Sequence, residues 1–185
     1  MEITMPNNLV ICSDKFLRTK APWKIDDSLM GQLKHDHVVA TFDSSLYRGD
    51  YDKLRKDIAK PIKKIINLYD FEHIVFIGIG DDCQLANSLW VSSGIDLDTV
   101  VLVNNPFDTK LYNSIFGQCA IYNLYTRPEL SNRYFEGAEA NQYIKTRIPA
   151  HMSNRVALEI SGLLMYDRYC VDYFTPVESQ LVELN

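Results

Sequence analysis

A turn with two glycines follows the most apolar stretch of the chain, and it carries three side chains that are reactive types. The turn reads Gly78-Ile79-Gly80-Asp81-Asp82-Cys83. A carboxylate can act as a nucleophile, as an acid or base, or as a metal ligand, and a thiol can attack a carbonyl carbon. Backbone N–H groups at the start of a helix can also bind a phosphate. The partners and the charge of the turn decide among these chemistries.

The phosphate-binding interpretation of the two glycines is disfavoured. Gly78 and Gly80 open a dinucleotide fingerprint, but its third glycine position is occupied by Cys83. Asp81 and Asp82 place negative charge where a pyrophosphate would lie, and one unscreened carboxylate costs on the order of 1 to 4 kcal/mol there. Carboxylates in a first helical turn also stabilise the helix. The turn is therefore explained equally well as a structural helix start without catalysis.

A metal-dependent interpretation rests on the three residues Gly80-Asp81-Asp82. They are similar to the Gly-Asp-Asp of haloacid-dehalogenase-type phosphatases, in which acidic side chains hold magnesium. Asp14 or Asp43 would have to supply the first-strand acids, yet neither belongs to an Asp-x-Asp pair. A magnesium-dependent phosphatase is therefore the lowest of our alternatives. We expect neither a metal site nor an organic cofactor.

Short apolar runs alternate with helical patterns along the chain, which predicts an α/β fold, a three-layer sandwich around a mostly parallel sheet. The expected strands are Leu9–Cys12, Val38–Phe42, Ile74–Ile79, Val100–Val103, Ala120–Tyr125 and Tyr143–Ile148. The expected helices are Ser28–Lys34, Tyr51–Tyr69, Asp81–Val91 and one that begins near Ser153, with a weaker strand signal over Val171–Phe174. Pro61 should kink or split the second helix. Right-handed crossovers would bring all strand carboxyl ends, and the turn at Gly80, to one edge of the sheet.

In the order of these elements, the chain resembles the core of the α/β-hydrolase family over about residues 8 to 170, without a lid domain. The strand that ends at Cys12-Ser13-Asp14 stands where the family has its oxyanion-loop strand. Gly78-Ile79-Gly80-Asp81-Asp82 stands where the family has its nucleophile elbow, Gly-x-Ser-x-Gly. The resemblance implies that Ile148-Pro149-Ala150-His151 delivers the catalytic histidine and that Glu129 is the nearest candidate for the acid.

The main departure from the family lies at the nucleophile position, which falls on Gly80. Glycine has no side chain and cannot attack a carbonyl, so the Ser-His-acid mechanism is lost there. The resemblance therefore implies a non-catalytic binding or regulatory protein, with Ser13, Asp14, Gly78 and Gly80 as binding residues.

The alternative interpretation is an atypical hydrolase of an ester, thioester or related bond. Asp82, Asp81 or Cys83 would then replace the serine, and His151 would act as the base. Glu129 would orient that histidine. Both hypotheses use the same edge of the sheet and differ in whether a reactive group stands at the elbow.

Length and composition limit the remaining possibilities. A chain of 185 residues predicts one domain, residues 1–185, and its net charge of −5 disfavours a nucleic-acid partner. The basic run from Lys53 to Lys64 lies on a predicted amphipathic helix and is interpreted as a solvated face. The four cysteines show neither zinc spacing nor a disulfide framework. With no signal peptide or membrane-spanning run evident, we expect a cytoplasmic protein whose partner is a small molecule or a protein, with homo-oligomerisation left open.

Overall fold

The apolar runs assemble into one parallel sheet. A computed structural model describes residues 8–14, 37–127, 129–130, 138–145, 160 and 180–185. Its strands are β1 (Asn8–Ser13), β2 (His37–Phe42), β3 (His73–Ile79), β4 (Thr99–Val103), β5 (Ala120–Tyr125), β6 (Ala140–Tyr143) and β7 (Gln180–Glu183). They form a seven-stranded sheet in the order β6-β5-β4-β3-β1-β2-β7, and every neighbouring pair is parallel. The predicted α/β class and parallel sheet are confirmed.

The central strands are apolar through their middle because both faces of the sheet are covered. All residues of β1 and β4 are buried. Leu9 and Ile11 of β1 belong to one hydrophobic cluster, whereas Val10 and Cys12 belong to a second cluster on the opposite face. This alternation follows from the two-residue period of a strand.

Two described α-helices pack on the same face of this sheet. They are α1 (Tyr51–Leu68) and α2 (Gln84–Val91). Leu54, Ile58 and Ile62 of α1 recur at helical spacing and join the cluster that contains Leu9. On the other face, Ile160, which has helical backbone, belongs to the cluster of Val10. Neither described helix combines the length and the apolarity that a membrane crossing requires.

Helix α1 is continuous through Pro61, so the split, one of the two effects expected of this proline, does not occur. The helix is assigned as one element of 18 residues that contains this proline. Proline removes one backbone hydrogen bond and weakens a helix interior. Here Ile58, Ile62 and Ile65 are buried on both sides of the proline, so tertiary packing maintains the helix across the weak point.

The two edges of the sheet differ from their predictions. The sixth strand was predicted too late in the chain: β6 begins at Ala140 and ends at Tyr143, and residues 144 and 145 are not in a strand. The rest of the predicted strand, residues 146–148, lies outside the described residues. The polar residues of β6 pair with β5, and the Asn123 amide Nδ2 donates to Asn141 Oδ1 at 3.0 Å. An edge strand does not need the apolar run that the prediction used.

Strand β7 was not predicted at all. It has only four residues and pairs with β2 in the register Val38↔Gln180 to Thr41↔Glu183. Beyond it, the Asn185 side chain continues the pairing: Asp43 N–H donates to Asn185 Oδ1 at 2.8 Å, and Asn185 Nδ2 donates to the Asp43 carbonyl at 2.9 Å.

The other predicted elements lie outside the described residues. These are the helix over Ser28–Lys34, the strand over Val171–Phe174 and, apart from Ile160, the helix that begins near Ser153.

Core burial of α1 yields a first prediction. Ile58 is fully buried, so Ile58→Ala should lower the free energy of unfolding by about 2 to 5 kcal/mol, through lost burial and the cavity left behind. Leu68, at the end of the same helix, is 67% exposed, and Leu68→Ala is the matched control with an expected change within about 0.5 kcal/mol. Urea unfolding measures both. Equal effects of the two substitutions would contradict the packing of α1.

Candidate functional site

The chain changes its direction of travel across the sheet at β1. It passes from β1 to β2 on one side, and the next strand, β3, lies on the other side of β1. Doubly wound sheets bind ligands in the crevice outside the carboxyl ends of the strands at such a reversal. Those ends are Ser13 in β1 and Ile79 in β3, so Asp14 and the turn that starts at Gly80 border the crevice.

Gly80 begins the turn with a backbone conformation that most residues with a side chain avoid. Its φ is +56°, in the left-handed region, and a Cβ built on it would meet nothing within 4 Å. The backbone at this position is therefore sharply bent, while the space in front of it is open. The turn continues as a 3-10 helix, Gly80–Cys83, that leads directly into α2.

Gly78 is required for a different reason, namely close packing. A Cβ on Gly78 would lie 2.9 Å from the Cys83 Cα atom and 2.9 Å from the Phe76 ring. The Cα atom is backbone and cannot move aside without moving the turn. The absence of a side chain at Gly78 therefore allows the turn to fold back against the end of β3.

Asp82 is a buried carboxylate held by the start of α1. It is 1% exposed, and the Tyr51 hydroxyl donates to Asp82 Oδ1 at 2.7 Å. Burial raises the pKa of Tyr51 well above its usual value, and the hydrogen bond to Asp82 raises it further. The pair therefore links α1 to the turn after β3. In this arrangement Asp82 is an internal anchor with little access to a substrate.

Cys83 is likewise enclosed. It is fully buried, and its thiol Sγ lies 3.7 Å from the Val103 carbonyl oxygen to which it donates. Burial, more than the nearby charges of Asp82 and Asp81, raises the pKa of this thiol. Because the thiolate is the reactive form, the environment of Cys83 is that of a packing residue and not of a nucleophile.

Asp81 is the exposed member of the three candidates in the turn. Its backbone carbonyl accepts a hydrogen bond from Gln84 Nε2 at 2.9 Å. The side chain is left at the surface, where it contributes negative charge beside the open space at Gly80.

The end of β1 brings the other two predicted binding residues to the same edge. Ser13 is buried, and Asp14 is partly exposed. Burial raises the pKa of the neighbouring Cys12 thiol to about 12, and the negative charge of Asp14 adds to this rise. The crevice is therefore acidic on its β1 side as well as at Asp81.

The described residues show no contact between the turn and the predicted base or acid. His151 lies outside the described residues. Glu129 is an exposed residue after β5, and no described hydrogen bond or ion pair joins it to the turn. The roles of both residues stay predictions.

Two features of this edge were not among the predicted catalytic or binding residues, although Asn104 and Thr126 were expected at the edge itself. Tyr51, the partner of Asp82, is 31 positions away in sequence and carries no local signal. Asn104 follows β4 with a left-handed φ of 50°. Its side chain bridges to the next strand end, since Thr126 N–H donates to Asn104 Oδ1 at 2.8 Å and Asn104 Nδ2 donates to Thr126 Oγ1 at 2.9 Å. Asparagine tolerates the left-handed backbone region, so an asparagine directly after a strand was the one sequence signal for a sharp bend there.

The acids of this edge do not assemble into a metal centre within the described part of the chain. No group of three or more His, Cys, Asp or Glu residues there could hold a metal ion. Asp14 and Asp43 follow β1 and β2 respectively, as the phosphatase alternative needs, but they bring no further described ligands. That alternative therefore gains no support.

Comparison with known proteins adds no family assignment. No protein-family model, no curated protein and no solved structure matches the chain. The class that the fold defines is an α/β protein with a parallel sheet.

Substitutions of the two glycines should distinguish the stability cost of close packing at Gly78 from the cost of backbone strain at Gly80. Gly78→Ala places its Cβ against backbone and should lower the free energy of unfolding by about 1 to 3 kcal/mol or more, as overpacking does. Gly80→Ala has room for its Cβ and should cost only the left-handed conformation, about 1 to 2 kcal/mol. Gly80→Asn should recover part of that cost because asparagine tolerates the conformation. Chemical denaturation measures all three, and a Gly80→Asn variant no more stable than Gly80→Ala would contradict the assigned backbone.

The Tyr51–Asp82 hydrogen bond predicts a change in alkaline stability. The folded state raises the pKa of Tyr51 above its unfolded value of about 10. The corresponding stabilisation is complete below that pH and is lost as the pH rises through the folded pKa. Tyr51→Phe should therefore lower the free energy of unfolding at pH 7 by about 1 to 3 kcal/mol, and it should lose less stability than the wild type between about pH 10 and 12.

Urea unfolding as a function of pH measures this difference. Tyr143→Phe, at an exposed ring, is the control. A Tyr51→Phe curve that runs parallel to the wild-type curve throughout the alkaline range would show that Tyr51 does not carry the titration.

Proposed function

We propose that this chain is a non-catalytic ligand-binding protein with an α/β-hydrolase-like three-layer fold in which the nucleophile elbow has become a binding turn. The single observation that supports this proposal is the turn at Gly80. A strand leads through a left-handed residue into a helix, and the space in front of that residue is open. In a nucleophile elbow the reactive serine occupies such a strained, accessible position. Here that position has no side chain.

The environment of the neighbouring side chains supports loss of catalysis. Asp82 is buried and hydrogen-bonded to Tyr51, and Cys83 is buried with a raised thiol pKa. Both side chains contribute to the structure of the turn itself. A nucleophile has to reach its substrate with its reactive form populated, and neither residue meets this condition.

The charge of the crevice indicates the class of ligand. Asp81 is exposed beside the open space, and Asp14 follows β1 at the same edge. An anionic ligand within a few Å of either carboxylate would be opposed by about 1 to 4 kcal/mol for each unit charge. We therefore expect a neutral or cationic small molecule, whose polar groups would meet the backbone of the turn and the side chain of Asp81.

A fragment screen by saturation-transfer NMR tests this function. A library matched in size but divided into neutral, cationic and anionic compounds should yield hits in the first two groups. Gly80→Asn would fill the open space with a side chain that tolerates the left-handed backbone, and it should abolish those hits. Gly94→Asn is the matched control, because Gly94 also has a left-handed φ of +66° and open surroundings but lies after α2.

Two outcomes would count against the proposal. Hits that survive Gly80→Asn as well as they survive Gly94→Asn would place binding elsewhere. Hits confined to anionic compounds would contradict the charge argument.

The second candidate function is an atypical hydrolase that uses Asp81. Its support is that Asp81 is the exposed acid of the turn. A panel of aryl esters, thioesters and phosphate esters, assayed with the wild type, Asp81→Asn and His151→Ala, separates the two candidates. Turnover that is lost in both variants would establish the hydrolase and reject the non-catalytic protein, whereas the non-catalytic protein predicts no turnover of any of these substrates.

A further inference from the structure

The outer surface of α1 carries an uneven charge for this protein. The helix contains six basic and two acidic residues, although the chain as a whole has a net charge of −5. Its five lysines are all exposed and recur at spacings of three, four, three and one residues, which places them on one side of the helix. We name this set the lysine face: Lys53, Lys56, Lys60, Lys63 and Lys64.

Most of the lysine face has no carboxylate partner in the described structure. Lys56 pairs with Asp52 at 2.7 Å. The other four lysines make no ion pair with any described residue. Burial of Leu54, Ile58 and Ile62 fixes the orientation of the helix, so the lysines are held outward as a set and are available to a partner.

A complementary acidic surface lies at the opposite edge of the sheet from the crevice. Four exposed acids precede strands β3, β4 and β6, and we name them the acidic edge: Asp70, Glu72, Asp96 and Glu139. None of the four forms an ion pair with a described residue. The neighbouring Asp98 is excluded from this set because its Oδ2 accepts a hydrogen bond from the Ile74 N–H at 2.8 Å.

The two surfaces match in length as well as in sign. At 1.5 Å per residue, Lys53 and Lys64 are separated by about 16 Å along the helix. At about 4.8 Å between strands, the three steps from β3 to β6 span about 14 Å. A row of lysines can therefore face a row of carboxylates from a second molecule along most of its length.

We propose that the lysine face of one copy of this chain binds the acidic edge of a second copy. The acidic edge is an anionic surface that the chain itself supplies, with a length that matches the row of lysines. The net charge of −5 opposes the approach of a nucleic acid, an anionic membrane and a second copy alike at long range, so the local match of the two surfaces is what favours the second copy. The contact joins two different surfaces, so it closes as a two-fold dimer where both contacts form between the same two copies, and otherwise it forms a ring or an open chain of copies. This inference is independent of the crevice and of its proposed ligand.

Charge reversal on each surface, followed by mixing, tests the proposal. In sedimentation velocity at about 0.1 M salt, where charges act over about 10 Å, the wild-type average mass should rise with protein concentration. At about 1 M salt, where the range falls to about 3 Å, the protein should be monomeric. Lys60→Glu/Lys63→Glu and Asp70→Lys/Glu72→Lys should each weaken association at least tenfold. An equimolar mixture of the two variants should associate again, because each reversed surface then meets a complementary one.

Lys110→Glu/Lys145→Glu reverses two exposed lysines outside α1 and should associate like the wild type. Circular dichroism melting confirms that each variant is folded. A wild type that stays monomeric at about 0.1 M salt at every concentration would overturn the proposal. So would a mixture of folded variants that fails to associate. Binding of the wild type to an oligonucleotide or to anionic vesicles, with loss of binding in Lys60→Glu/Lys63→Glu and no self-association, would assign the lysine face to a different partner.

Discussion

The turn after β3 packs closely against the strand that it follows, and this close packing sets the geometry at the carboxyl edge of the sheet. With a hydrogen in place of a side chain at Gly78, the backbone of Cys83 can lie against the end of β3. This approach buries Cys83 and Asp82. A wider turn would carry Asp82 away from Tyr51 and would expose the thiol. The burial of two of the three candidate nucleophiles is thus a consequence of packing.

The hydrogen bond between Tyr51 and Asp82 transmits this constraint to the rest of the fold. Tyr51 is the first residue of α1, and α1 packs on the sheet through Leu54, Ile58 and Ile62. The carboxylate therefore fixes the beginning of the helix relative to β3. A buried carboxylate that loses its hydrogen-bond donor is costly, so the energetics of the fold hold this acid in position without reference to any reaction.

The sequence predicted well those features that depend on burial and poorly those that depend on polar pairing. The runs that became β1 to β5 are apolar because both faces of the sheet are covered, and their predicted positions were confirmed to within about one residue. Strand β6 was misplaced because its pairing uses Asn141 and Gln142, and β7 was missed because four residues carry little pattern. In the crevice, the turn residues were identified from glycines and acids, but the sequence contained no signal for the contact between Tyr51 and Asp82. A hydrogen bond across 31 positions depends on the tertiary fold.

The distribution of charge separates the proposed ligand crevice from the surfaces proposed for self-association. The crevice lies at the carboxyl edge of the sheet and carries the exposed Asp81, whereas the acidic edge lies at the amino edge, beyond the other ends of the same strands. Contact between the lysine face and the acidic edge would therefore leave the crevice uncovered. Because exposed ion pairs are weak and screened by salt, such a contact would also be reversible. Assembly and ligand binding would then act through different residues, and a substitution at Gly80 should leave assembly unchanged while a substitution at Lys60 should leave the crevice intact.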